Sequence, residues 1–253
     1  MSEQQKQFPE FYVTAPQPCP YLPERQERKL FTHLTHEKPP VVVDNLLKGG
    51  FRRSQNIAYM PYCEGCQACV STRVLVDGFE ESRTMRKIAN RNTDLVTRRL
   101  PPIPTAEQFD LFRRYIDHRH SDGGMADMTV MDYAMMVEDS IVDTFITEYR
   151  MRPADVDPAD KTSRPEKWPL IAVALNDRLS DGISMVYSFY DPLLEARSLG
   201  TYMILEHLAY TRSLKQPYVY LGYWIKGSRK MSYKMRYQPQ EHLTPNGWTA
   251  AQL

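Results

Sequence analysis

Beyond Cys69 this chain has no cysteine; its four thiols, Cys19, Cys63, Cys66 and Cys69, all fall within the first 69 residues. A sulfur nucleophile in the rest of the sequence is thereby excluded. A disulfide framework suits neither the length of the chain nor its lack of a secretory leader. Long apolar runs are missing as well: none approaches the roughly 18 residues that a membrane span needs. Met1-Ser-Glu-Gln-Gln-Lys6 carries neither a charged-then-apolar leader nor a lipidation pattern. A cytoplasmic protein with no membrane partner is expected. There is no Gly-x4-Gly-Lys-Ser/Thr loop, which excludes P-loop nucleotide hydrolysis. Net charge is nearly absent too, at +1, but that balance conceals segregation.

Between Ser82 and Leu100 stand Arg83, Arg86, Lys87, Arg91, Arg98 and Arg99 against a single Asp94. From Ile225 to Gln238 come Lys226, Arg229, Lys230, Lys234 and Arg236 with no acid. Acids crowd the stretch from Thr105 to Tyr149 instead. One basic run is usually a solvated helix face. Two of them, interleaved with aromatic or amide side chains, suit a polyanion such as RNA.

Cys63, Cys66 and Cys69 repeat every third residue, and Cys19 supplies a fourth thiol beside Pro20. Such a set can enclose zinc or an iron–sulfur cluster; it also reads as four reduced thiols, some of them buried. His33 and His36 are candidates to supplement it, whereas His118, His120, His207 and His242 lack metal-ligand spacing.

The chain reads as α+β. Glu24 to Leu34 suits a short helix, and Ile57-Ala-Tyr-Met60 and Val70 to Val76 suit strands. Glu81 to Asn90 reads as a helix. Three prolines in Leu100-Pro-Pro-Ile-Pro104 mark a boundary, dividing a cysteine-containing, basic N-terminal domain (1–100) from a C-terminal domain (101–253). Thr105-Ala-Glu-Gln108 is a capping box opening a helix. Leu170 to Leu175 and Ile183 to Tyr190 form a hairpin turning over Asn176 to Gly182. Ser198-Leu199-Gly200 then opens a helix to about Leu214, and Tyr218 to Trp224 is a strand. That order matches the acetyltransferase-like (GNAT) core by topology alone.

Cys19-Pro-Tyr-Leu22, Gly50-Phe-Arg-Arg-Ser54, Tyr62-Cys-x-x-Cys-x-Ala-Cys69, Ser198-Leu199-Gly200, Tyr220-Leu-Gly-Tyr-Trp-Ile-Lys226 and Lys230-Met-Ser-Tyr-Lys234 carry a resemblance. Together they resemble the arginyl/leucyl-tRNA–protein transferase family, and most of all its bacterial branch, the aspartate/glutamate leucyltransferases. The resemblance covers roughly residues 10 to 240. It implies transfer of leucine from leucyl-tRNA to proteins with N-terminal Asp or Glu, creating an N-degron; the eukaryotic branch uses arginine.

An aminoacyl ester is already activated, so no cofactor is required for the chemistry. An α-amine with a pKa of about 8 needs only a weak base or water. Holding amine and ester together, with donors for the oxyanion, would supply most of the rate. Candidate donor and tRNA contacts are Ser198, Leu199, Gly200 and Thr201 at a helix N-terminus, with Arg83, Arg86, Lys87 and Arg91. The same Ser-Leu-Gly also reads as an ordinary cap. Tyr187, Tyr190, Asp191 and Tyr220 are candidate catalytic residues; core aromatics and a plain Asp-Pro turn are the bland reading. Arg52, Arg53, Lys226, Arg229, Lys230 and Lys234 are candidates to meet the acceptor's carboxylate. An acetyl-CoA enzyme would place a second small residue where Tyr202 stands. A non-enzymatic RNA-binding protein with a structural metal site is the alternative from another class.

Overall fold

The computed structural model describes residues 9–35, 40–119, 123–160 and 163–252. Its strands run β1 (Tyr12–Val13), β2 (Gln17–Pro18), β3 (Gln26–Glu27), β4 (Lys29–His33), β5 (Arg52–Ser54), β6 (Ile57–Pro61), β7 (Cys69–Leu75) and β8 (Leu95–Leu100). Then follow β9 (Thr144–Met151), β10 (Leu170–Leu179), β11 (Gly182–Tyr190), β12 (Tyr218–Ile225), β13 (Gln240–Thr244) and β14 (Gly247–Ala250). The α-helices are α1 (Pro40–Lys48), α2 (Arg83–Arg91), α3 (Ala106–Arg119), α4 (Val130–Glu138) and α5 (Leu199–Ser213).

Eight strands form one sheet in the order β14-β13-β7-β12-β11-β10-β9-β8, and four form a small one in the order β1-β4-β6-β5. Every pairing in the large sheet is antiparallel except β11 with β12, which α5 connects. Period-two alternation puts Ala172 and Ala174 of β10 against α5, and Val173 and Leu175 against α3 and α4. The small sheet and α1 close a third cluster around Leu34, Val43, Leu47 and Ala58.

Local signals placed several elements. The Thr105 N–H donates to Gln108 Oε1 and the Gln108 N–H to Thr105 Oγ1, each at 3.2 Å, so the capping box opens α3 as expected. Its Leu111, Phe112, Tyr115 and Ile116 are buried, each side chain contributing roughly 1.5–3 kcal/mol. Two expectations fail. The segment from Glu24 to Leu34 is not helical; its strands pair with β2, β1 and β6, and that long-range pairing overrides local preference. The hairpin turn is also tighter than expected: β10 and β11 stay paired out to Leu179 and Gly182. Strands from both sides of residue 100 share the large sheet, since β7 pairs with β12 and β8 with β9.

Candidate active site

The parallel pairing of β11 with β12 runs only from Gly182–Tyr218 to Ser184–Tyr220. Gly182 permits the close start, because a Cβ there would lie 2.0 Å from the Tyr218 carbonyl oxygen. Past Ser184, β12 turns away with β7 through an irregularity between Tyr220 and Gly222, while β11 continues with β10. The strands therefore open into a cleft.

Arg52 of β5 reaches into that cleft. Its guanidinium donates to Ser184 Oγ at 3.3 Å, to the Met185 carbonyl at 2.6 Å and to the Val186 carbonyl at 3.0 Å. These are the β11 oxygens beside which β12 has departed. Gly222, at φ +75°, makes room: a Cβ there would come within 2.8 Å of Arg52 Cζ. Lys234 projects inward from a 3-10 turn (Arg229–Arg236) and is buried, its Nζ donating to the Tyr223 carbonyl at 2.6 Å. Burial, and then the nearby Arg52 charge, pull its pKa down to about 7. The Tyr223 hydroxyl contacts the Gly50 carbonyl at 2.9 Å and the Tyr59 carbonyl at 3.2 Å, tying the small sheet to β12.

One wall of the cleft is aromatic. Tyr190 meets Tyr115 edge-on at 5.1 Å and lies 3.4 Å from the position of a Cβ on Gly200. Arg119 stands 5.6 Å over its ring, and Tyr233 is within electrostatic range of both Tyr190 and Arg52. Tyr187 packs on Phe112, and burial pushes its hydroxyl well above the ordinary tyrosine range. Asp191 caps the next turn through the Leu193 N–H at 2.9 Å and sits 4.0 Å from Arg114. Ser198 has a left-handed φ of 54° and makes no side-chain cap. The amides of Leu199 and Gly200 open α5, where no intrahelical acceptor exists for them.

Of the residues expected to work together, Arg52 and Lys234 meet here, and Tyr233 relates them to Tyr190, which packs against Gly200; Tyr187 packs into the core on Phe112, and Asp191 holds the turn before α5. Tyr220 does not join them: its hydroxyl donates to Asp181 Oδ2 at 3.0 Å and accepts from Arg73 at 3.1 Å, on buried strand surface beside Trp248. Arg53 is also lost to recognition. It is 4% exposed and locked to Asp177 at 2.7 and 2.8 Å. Lys226 faces a separate concavity of about 520 Å³ lined by Cys66, Gly65 and Arg25. Arg229 and Lys230 are exposed on the 3-10 turn.

On α2, Met85 and Ile88 are buried while Arg83, Arg86, Lys87 and Arg91 face outward. The helix abuts the loop before α5: Arg91 donates to the Ala196 carbonyl and Asn92 to the Arg197 carbonyl. Arg98 and Arg99 are paired with Glu148 and Glu206 and leave the basic run. The reading of the sequence missed Tyr115, Arg119 and Tyr233. Tyr115 sat one residue before Ile116 on a helix already recognised, and Tyr233 inside a quoted motif.

The four thiols gather at the start of β7. Burial, then the neighbouring Cys63, Cys19 and Cys66, push the Cys69 thiol up to about 12. Among the described residues, however, no three His, Cys, Asp or Glu side chains converge as metal ligands. His33 packs on Phe31 and Tyr12; His36 and His120 lie outside the described residues. His207 is fully buried against Tyr149, and burial holds it neutral. Among the described residues no helix is long and apolar enough to cross a membrane.

Residues 17–87 match the family described as "Arginine-tRNA-protein transferase, N terminus", and residues 107–244 match its C terminus. A protein of Nitrobacter hamburgensis named aspartate/glutamate leucyltransferase is 57% identical over 98% of this chain and 94% of its own. One of the same name from Agrobacterium fabrum is 55% identical over 98% and 97%. Among solved structures, FemX aligns with a TM-score of 0.42 and 11% identity over 77% of this chain and 62% of its own. L-PGS from Bacillus licheniformis aligns with a TM-score of 0.42 and 13% identity over 62% and 46%. With both halves matched in order and relatives this similar along nearly its whole length, the chain belongs to the arginine-tRNA-protein transferase family.

Proposed function

We propose that this protein transfers leucine from leucyl-tRNA to the α-amine of proteins beginning with Asp or Glu, marking them for N-degron proteolysis in the cytoplasm. The observation that carries the reading is the half-buried Arg52 guanidinium in the cleft between β11 and β12, which has no carboxylate partner among the described residues. Arg52 spends its bonds on uncharged oxygens, and Lys234 bonds a carbonyl. A guanidinium held this way keeps further N–H donors for an incoming carboxylate. Acidic acceptors are what such a cleft selects.

The donor end follows from α5. The amides of Leu199 and Gly200 offer donors to the terminal nucleotide of the tRNA, with Tyr190 packed beneath Gly200. The outward cations of α2 continue this surface toward the tRNA backbone. Hairpin, loop, helix and parallel strand with a splayed pair form an acetyltransferase-like arrangement, here with an aminoacyl ester as donor. The amine attacks the ester carbonyl, and the ribose oxygen leaves. Orientation of the two groups supplies most of the rate, as the ester is already activated. Asp191 and the Tyr190 hydroxyl orient the acceptor. The exposed Arg229 and Lys230 extend the cationic rim.

The thiols stand apart from this chemistry. Their soft donor set suits zinc or an iron–sulfur cluster, although the sulfur atoms would have to draw together to hold one.

Purified protein incubated with labelled leucyl-tRNA and peptides beginning with Asp, Glu or Ala tests the reading. Label is expected on the Asp and Glu peptides and little on Ala. Arginyl-tRNA serving equally well would overturn leucine as the donor. Transfer from neither, with tRNA still bound, would point to a non-enzymatic RNA-binding protein.

A further inference from the structure

We propose that Lys234 is the base that takes a proton from the acceptor's α-ammonium group, standing beside Arg52 where β11 and β12 part. The inference rests on the transfer reading above and assigns the proton step within it.

The turn that carries Lys234 presents its other cations, Arg229, Lys230 and Arg236, to solvent. Lys234 alone turns inward and is 6% exposed. Among the described residues its Nζ donates one hydrogen bond, to the Tyr223 carbonyl at 2.6 Å on the half of β12 that leaves β11, and it lies 6.0 Å over the Tyr233 ring. The groups facing it are Arg52 from β5, Tyr223 from β12 and the adjacent Tyr233, beyond which lies Tyr190 of β11. Arg52 is the only charged group acting on it among the described residues. An ammonium in that position would be buried beside a second cation with no acid to offset it. Losing the proton relieves the conflict, and the amine pKa falls to about 7.

The other titratable groups nearby do not suit the role. Asp191 is engaged by the Leu193 N–H and approached by Arg114. Tyr115 and Tyr187 are held protonated by burial. His207 is sealed on the buried face of α5, and His242 stacks on Trp224 at 5.2 Å. An N-terminal Asp or Glu brings an ammonium and a carboxylate joined through a few carbons. A base and a guanidinium side by side match that pair.

The step balances as follows. Lys234 takes one proton from the α-ammonium and passes it to solvent. The freed amine adds to the ester carbonyl, and the C–O bond to the ribose breaks. The second proton leaving nitrogen goes to the departing ribose oxygen, which yields amide and hydroxyl.

Lys234→Met and Lys234→Arg, assayed at saturating leucyl-tRNA over a range of pH with an Asp-initiated peptide, decide the matter. In the wild type, kcat should fall below an inflection of about 7. Both variants should lose kcat by roughly 10²-fold or more and lose the inflection, with KM little changed. Arginine should not rescue, because it keeps the charge but cannot accept a proton. A Lys234→Arg variant with wild-type kcat, or a Lys234→Met variant with the wild-type pH profile, would overturn the assignment. If both variants fail to fold, wild-type protein with 13C-labelled lysine still answers: one Cε signal should titrate near 7, apart from the ordinary lysines at about 10.4. No such signal overturns the proposal. A wild type inactive toward every acceptor would instead sink the transfer reading itself.

Discussion

Two adjacent arginines take opposite fates, and the pleat of β5 is the cause. Successive side chains of a strand point to opposite faces, so Arg52 enters the cleft while Arg53 enters the core beneath β10. There Asp177 and Thr144 satisfy it at 2.7 to 3.2 Å. A buried pair of this kind is costly to break one side at a time, because the survivor is an uncompensated charge. Arg53→Met or Asp177→Leu should each destabilise the protein by about 3–5 kcal/mol in urea unfolding. The double variant should recover part of that loss, and a double variant worse than either single one would contradict the account. Lys234 gives a pH signature of its own. Its pKa is lower folded than unfolded, so the unfolded chain binds the extra proton. Stability should therefore rise with pH from about 7 to 10.5 and then level off. Unfolding of wild type minus Lys234→Met isolates that slope from the one His207 contributes at lower pH.

At the scale of elements, the informative pairing is the shortest one. The contact of β11 with β12 ends after Ser184–Tyr220, and α5 fills the return path with its N-terminus at the open side. Glycines hold this geometry: Gly222→Ala would meet Arg52 at 2.8 Å in a left-handed conformation, which disfavours any side chain. The basic helix α2 is amphipathic in the ordinary way, with Met85 and Ile88 inward and four cations outward. If those cations track the tRNA backbone, affinity should fall steeply with salt, and Arg83→Ala with Arg86→Ala should flatten the slope by about two ion contacts. A titration of tRNA binding at several salt concentrations checks this. An unchanged slope would make the face merely solvated.

Across the whole molecule, the cysteine-bearing segment and the cleft between β11 and β12 share strands. Cys69 opens β7 and pairs with Ile225 of β12, while the Tyr223 hydroxyl reaches back to the small sheet. Disturbing the thiols should thus reach Arg52 through β12 and not through lost sulfur chemistry. If the four cysteines hold one metal or cluster, any single Cys→Ser change should release it and lower the melting temperature. Elemental analysis and the visible spectrum of anaerobically purified protein measure the first effect, and a melting curve the second. Full transfer activity and no metal in all four variants would leave ordinary thiols.

Much of this architecture was written locally. The alternation of β10 and β11, the Thr105 to Gln108 box and the spacing of α3 and α5 are short-range properties, set by the pleat and by helical pitch. The motifs around Arg52, Gly200 and Lys234 are likewise short stretches of sequence. Which of these side chains are buried, paired or exposed is decided only by tertiary structure. Arg53 was indistinguishable from Arg52 until Asp177, 124 residues away, came to rest against it. Tyr220 and Tyr223 lie on one strand, yet the irregularity at Gly222 sends them to different surroundings. Lys234 reads as one more surface cation until the 3-10 turn buries it against Arg52. Charge state and availability depend on burial and on partners distant in the chain, and neither is encoded within a short window of sequence.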